Sequence, residues 1–440
     1  MTTPVPWHRQ ALRRLLHIDH PVPPATDEEA NAFAERNYRW NFTANLLDGA
    51  SFWFGASFAS SSTIAPLFIS KLTDSPLAIG LLAVVAQGGW FLPQLFTANA
   101  VERLSRKKPV VVNLGFFLER LPVWLLAPAA LLASYSAGLA LTVFLLGYAM
   151  HMIGAGVVAT AWQDLLARCF PVEKRGRFLG ITSFIGTGMG TIGAGLSAWL
   201  LATFPFPTNF AYTFLIAAAG ITLSWVFLSL TREPVQPAQG ERQNRRQFWE
   251  KVRGIMARDH NFRRFLLARF LLALAGMGQG FITVAAVQRW DVADSVVGGF
   301  TAALLLGQTT GNLIFGVLAD RFGHKLSLEL SGAAAMISFA LAWLAPAPEW
   351  YYAVFFLFGL YLGAIIVSGI LVVLEFSAPE RRPTYVGLAN TSVGVVGALA
   401  PLLGAAIAGL SYPLLFAASA AASLMGFILM RWWVREPRYT

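Results

Sequence analysis

Apolar residues fall into twelve runs, each close to the roughly 20 residues that a helix needs to cross a bilayer. They cover about 41–69, 76–99, 109–133, 138–163, 178–202, 209–230, 263–287, 296–319, 325–345, 350–374, 384–409 and 412–433. Short polar breaks separate them. One break is long: the stretch 231–262 is rich in Pro, Gly and Arg and divides six runs from six. The pattern predicts an all-α membrane protein with twelve transmembrane helices, arranged as two six-helix bundles at 41–230 and 263–433. The flanks 1–40 and 434–440 read as polar tails, and an even number of crossings puts both on one side.

Charge sets the orientation. Only 13% of the 440 residues are charged and 56% are hydrophobic, against about 25% charged in soluble domains. Of 33 Lys and Arg, 29 fall on the side of the tails; Lys71 and Arg289 lie opposite, and Arg120 and Arg269 lie inside helices. Basic loops stay in the cytoplasm, so both tails are expected there, in a cell (inner) membrane. The net charge of +10 is then a topology signal rather than a nucleic-acid footprint. No cleavable signal peptide is expected in residues 1–40. Leu12, Leu15, Leu16 and Ile18 make a short amphipathic pattern suited to a membrane surface, within an otherwise floppy tail. The single cysteine, Cys169, excludes a disulfide framework and a cysteine metal site. No phosphate-binding Gly-Lys-Ser/Thr loop and no paired nucleophile and base occur, so neither an ATP-driven pump nor an enzyme is expected, and no cofactor or metal.

The halves repeat. Asn37-Tyr38-Arg39 matches Asn261-Phe262-Arg263, Asp74-Ser75 matches Asp294-Ser295, Glu102-Arg103 matches Asp320-Arg321, and Arg232-Glu233-Pro234 matches Arg435-Glu436-Pro437. Arg175 to Gly180 likewise matches Arg382 to Gly387. Within the second half stands Gly316-Val317-Leu318-Ala319-Asp320-Arg321-Phe322-Gly323-His324-Lys325. Its pattern Gly-x-x-x-Asp-Arg-x-Gly-x-Lys resembles the loop signature of the major facilitator superfamily. The resemblance implies two parallel six-helix repeats rocking about a midplane site, a cavity lined by helices 1, 4, 7 and 10, and a monomer that moves a small molecule by alternating access. Gly316 would let helix 8 approach a neighbour, Asp320 would accept hydrogen bonds at a helix N-terminus, and Gly323 would make the turn before Lys325. Asp320–Arg321 and the worn copy Glu102–Arg103 are therefore expected to gate the cytoplasmic side. Asp164 with Arg168 after helix 4, and Glu375 after helix 10, are the expected partners. Drug–proton antiporters of the family carry Gly-Pro in helix 5; here Gly186, Gly190 and Gly193 occur without the proline, which favours close helix packing.

Ionisable residues inside helices are functional candidates by default, because an unpaired charge there is costly. Asp48 in helix 1 and Arg269 in helix 7 are the leading cavity candidates, with Arg269 aligned to Asn45 in the repeat. Asp48 either takes a coupling proton or staples helices by pairing with Arg269 or Arg120. Glu119 and Arg120 are adjacent, so in an α-helix they point about 100° apart and are expected to support helix 3 rather than share one partner. His151 reads as a packing residue or a proton carrier. Gln279 and Tyr361 are further polar candidates on cavity helices. Phe52, Trp53, Phe54 and Phe58 crowd helix 1. Proton-coupled efflux of amphipathic compounds and uptake of a small polar or anionic solute both remain open, as does a sensor that keeps the fold without transporting.

Overall fold

The structure is a computed structural model that describes residues 7–17, 26–236, 245–369, 371–376 and 382–437. Ile18, residues 237–244 of the central connector, Arg381 and Arg438 lie outside them. Among the described residues every regular element is helical. Eleven helices are long and apolar enough to cross a membrane: Pro76–Ala98, Val110–Leu132, Ala137–Cys169, Lys174–Thr203, Thr208–Ser229, His260–Trp290, Asp294–Phe322, His324–Leu344, Trp350–Val373, Tyr385–Ala408 and Tyr412–Trp432. We number these spans 2 to 12. Span 1, residues 38–72, is broken into Tyr38–Ser57 and Ile64–Leu72. It carries Asn41, Asn45 and Asp48, all buried against protein. Its polarity hides it from a hydropathy search and marks it as a helix that faces the interior.

Outside the spans, the described residues of the expected N-terminal tail are largely helical. Trp7–Leu15 and Asp27–Arg36 are helices. The second starts with a reciprocal cap in which Thr26 and Glu29 bond each other's backbone N–H. The first is tied down where the Asn113 amide donates to the Leu15 carbonyl at 2.8 Å. The central connector likewise contains a helix, Arg245–Arg258.

The sequence repeat has a structural reason. Asn41 and the backbone of Arg232 exchange two hydrogen bonds at 2.9 and 2.8 Å. Asn261 and the backbone of Arg435 make the same exchange at 3.0 and 2.8 Å. Each pair ties the entry of a bundle's first span to the exit of its last. Asn41, rather than Asn37, is therefore the partner of Asn261. The repeat shifts by one helical turn, so Arg269 corresponds to Gly49 beside Asp48 and not to Asn45.

The two bundles meet along spans 5 and 8 and along spans 2 and 11. On the face opposite the termini the seam is tight. A Cβ on Gly298 would fall 2.5 Å from that of Ala198, and one on Gly80 would fall 2.8 Å from that of Ala405. Polar contacts join the bundles there: Lys71–Asp294 at 2.7 Å, Thr63–Thr301 at 2.7 Å and Gln279–Ser62 at 2.7 Å. Nearer the termini the same helices separate, and a Cβ on Gly180, Gly316 or Gly387 would meet nothing within 4 Å. Gly316 thus has no close neighbour in this conformation, against expectation, because the seam it would close is open. Engineered cysteines at Gly316 and Gly387 should react readily with a bulky maleimide in membranes. Ala405→Cys should stay protected, and the buried native Cys169 gives little background. Equal labelling at all three positions would contradict the open-and-tight seam.

Candidate functional site

A cavity of about 370 Å³ lies inside the first bundle, with Ile366 its sole lining residue from the second among the described residues. Span 1 contributes Asn45, Asp48, Phe52 and Trp53; span 3 contributes Glu119 and Arg120; spans 2 and 4 add Trp90 and Trp162; span 5 adds Phe178 and Thr182. The lining is apolar, both aliphatic and aromatic, with one acid–base cluster set into it.

Each polar member is held by a specific partner. Ser224 of span 6 donates its hydroxyl to Asp48 at 2.6 Å. Asn45 donates to the Asn41 carbonyl at 2.8 Å and to Thr231 at 3.1 Å. Span 1 can sit this close to span 5 because span 5 is glycine-rich: Gly186 faces the Trp53 ring and Gly193 faces the Phe54 carbonyl.

Span 3 departs from the expectation that Glu119 and Arg120 diverge. The two side chains form an ion pair with each other, and both line the cavity. The reason lies in the backbone. Val110–Leu114 and Phe116–Arg120 are π-helical turns, in which Gly115 N–H donates to Val110 and Leu121 N–H donates to Phe116, five residues back. Pro122 has no N–H, so the Leu118 carbonyl, at the end of the second turn, lacks its α-helical donor. A wider turn rotates successive side chains by less than the α-helical angle. The ring Nδ1–H of His151 donates to the carbonyl of Glu119 at 2.8 Å, which makes His151 a brace behind the widened turn. Gly154 of span 4 leaves room for it, since a Cβ there would fall 2.8 Å from the Glu119 nitrogen. The Arg120 guanidinium carbon lies 5.9 Å from the Phe52 ring centroid. Its Nε is buried without a hydrogen-bond partner among the described residues.

Other predicted residues lie elsewhere. Arg269 makes no pair with Asp48; it donates to the Gly369 carbonyl at 2.5 Å, where span 10 is interrupted. Gln279 and Tyr361 line a separate chamber of about 110 Å³ at the seam between the bundles.

On the termini side, Glu102, Arg103, Asp320 and Arg321 are exposed. The close ion pairs involve their neighbours. Asp164 meets Lys107 at 3.1 Å and Arg168 at 3.3 Å. Glu233 accepts the backbone N–H groups of Lys107 and Lys108 at 2.6 and 3.0 Å, where span 3 begins. In the second bundle Lys325 meets Glu329 at 2.5 Å, His324 lies 4.0 Å from Glu375, and Glu436 packs against Gly323, whose φ is +95°. Burial pushes the Lys107 ammonium below its ordinary range, with Asp164 opposing, and pushes the Glu233 carboxyl above its own, with those N–H groups opposing. Glu233 and Glu436 are the repeated glutamates of Arg-Glu-Pro. The sequence carried that signal, but the partners were visible only in space.

The family model for the Major Facilitator Superfamily matches residues 47–289 and 265–440. The chain is 36% identical over 129 residues to a 4-hydroxybenzoate transporter of Pseudomonas aeruginosa, across 28% of each chain. It is 34% identical over 166 residues to a 3-(3-hydroxy-phenyl)propionate transporter of Escherichia coli, across 37% of this chain and 39% of that one. The matches therefore span well under half the length of these relatives. Among solved structures, a D-xylose–proton symporter superposes with a TM-score of 0.66 at 14% identity, covering 91% of this chain and 99% of that one. A bacterial homologue of the iron transporter ferroportin, in an inward-facing state, superposes at 0.63 and 14%, covering 89% and 98%. At these identities the superpositions establish the fold.

The π-turn account makes Gly154 a sensitive position. Gly154→Ala should destabilise the detergent-solubilised protein by about 1–3 kcal/mol, the usual range for overpacking a tight contact. Gly188→Ala, where a Cβ meets nothing within 4 Å, should leave the thermal midpoint in place. Equal midpoints for the two variants would contradict the close fit of spans 3 and 4.

Proposed function

The chain belongs to the Major Facilitator Superfamily, and on that premise we propose that it imports a small aromatic carboxylate in symport with protons. One observation carries the reading: a single cavity brings the buried Arg120 guanidinium together with the rings of Phe52, Trp53, Trp90 and Trp162. A guanidinium fork matches a carboxylate in shape and charge, and aromatic walls suit an aromatic ring. The names of the two curated relatives, a 4-hydroxybenzoate and a 3-(3-hydroxy-phenyl)propionate transporter, support the same substrate class. Proton-coupled efflux of amphipathic compounds would use Asp48 but gives no role to the buried Arg120 guanidinium.

Asp48 is the carboxylate to which we assign coupling to the gradient. It is buried, faces the cavity and is held by the neutral Ser224 rather than by a cation. The 29 basic residues on the termini side support a cytoplasmic location for that side. The conformation is then inward-open in the cytoplasmic membrane, with one chain as the transporting unit. Lys71–Asp294 and the Thr63–Thr301 contact serve as the outer gate. The termini-side loops around Lys107, His324 and Lys325 act on the inner one, with Asp320 and Glu102 meeting the opposite bundle when the seam closes.

The test is uptake into proteoliposomes. Radiolabelled 4-hydroxybenzoate should accumulate when the outside is acidic and should stop accumulating when the gradient is collapsed. Asp48→Asn should lose accumulation but keep exchange of labelled for unlabelled substrate. Arg120→Gln should weaken binding by about 2–5 kcal/mol, the range for removing one partner of a buried charged contact. Failure of both 4-hydroxybenzoate and 3-(3-hydroxyphenyl)propionate to move would overturn the proposal.

A further inference from the structure

We propose that the second bundle, at its end opposite the termini, holds a site for one anionic phospholipid whose phosphate binds Arg289. A third cavity, of about 310 Å³, lies there, where spans 7, 9, 10 and 12 come together. Ala285, Tyr351 and Phe416 in its lining are buried, while Gln288, Arg289 and Trp343 are exposed and mark its mouth. It shares no lining residue with the chamber of the first bundle or with the one at the seam.

Charge and position together choose the ligand. Only Lys71 and Arg289 among the basic residues lie at this end, and Lys71 is taken by Asp294 at 2.7 Å. The Arg289 guanidinium carbon lies 4.4 Å from the Trp290 ring centroid. Stacking uses the face of the guanidinium and leaves its N–H edge for an oxyanion. None of the described residues lining the cavity is an acid, so a zwitterionic headgroup would find no partner there for its ammonium. An anionic one needs none. Trp290, Trp343, Trp350, Tyr352 and Tyr412 gather at this end, as the aromatic girdle of a membrane interface does. Around the mouth Leu344 is 66% exposed and Leu410 80% exposed, which is apolar surface for lipid rather than water. Spans 9 and 12 pack on each other and on spans 10 and 7, whereas the seam is built from spans 2, 5, 8 and 11, so the cavity sits on the lipid-facing flank. The phosphate then meets Arg289 at the interface, the glycerol backbone lies on Tyr351 and Phe416, and the acyl chains run along spans 9 and 12, which carry the exposed Ile337 and Met425.

The test compares wild type with Arg289→Gln in neutral detergent, because the basic residues at the termini end attract anionic lipid in both. Titrated with phosphatidylglycerol and followed by native mass spectrometry, the wild type should hold one lipid more per chain than the variant. Its thermal midpoint should also rise further, since a ligand of the folded state stabilises it. Equal occupancy and equal shifts in the two proteins overturn the inference. Phosphatidylcholine should give no Arg289-dependent lipid; equal retention of both lipids contradicts the anionic preference. Glycerol 3-phosphate, which lacks acyl chains, should give no Arg289-dependent shift; a shift as large as the lipid's makes this a site for a soluble phosphoester and overturns the lipid. An Arg289-dependent shift with 4-hydroxybenzoate makes it a substrate site and overturns the inference as well. If Arg289→Gln does not fold, Gln288→Trp, at an exposed position of the mouth, should lose the same one lipid, and unchanged occupancy contradicts the inference. None of these outcomes depends on what the chamber of the first bundle carries.

Discussion

Pro122 has no N–H, and the site depends on that missing donor. In hydrocarbon a backbone carbonyl cannot turn to water, so its hydrogen bond must be found within the protein. Span 3 carries two π-turns before this proline, and Glu119 and Arg120 at the end of the second line one cavity. Span 4 accommodates the wider turn with Gly154 and braces it with His151. The charged pair Glu119–Arg120 lines that cavity. Its neighbours Asp48 and Ser224 come from spans 1 and 6, so the chamber is built almost wholly inside one bundle.

The two bundles carry matched fastenings. Each closes on itself through an asparagine at its entry and the backbone of an Arg-Glu-Pro arginine at its exit. Each also seats the glutamate of that tripeptide on the loop before its third span. Contacts between the bundles are gathered on the side away from the termini, where small residues let backbones approach. Rigid halves joined by a seam that is tight at one end and open at the other are what a rocking motion requires.

The sequence made the architecture legible because the bilayer imposes a strict period on it. Eleven spans follow from length and apolarity alone. The twelfth shows itself through Asn45 and Asp48, which have no reason to lie in a lipid-facing helix. Asp48 lines the cavity. Arg269 does not, because the repeat cannot be phased to a single turn from sequence when Asn37 and Asn41 both offer a match. The roles of Glu119 and Arg120 were hidden for a related reason. Helical periodicity assumes 3.6 residues per turn, and span 3 departs from it through two π-turns. Gly316 belongs to the signature that identifies the family, yet a Cβ there meets nothing within 4 Å in this conformation.

An experimental structure with 4-hydroxybenzoate bound tests the central claim most directly. The account predicts density in the chamber of the first bundle, with the carboxylate within hydrogen-bonding distance of Arg120 and the ring beside Phe52. Density instead in the seam chamber near Gln279 and Tyr361, or a carboxylate held by Arg269, would contradict it.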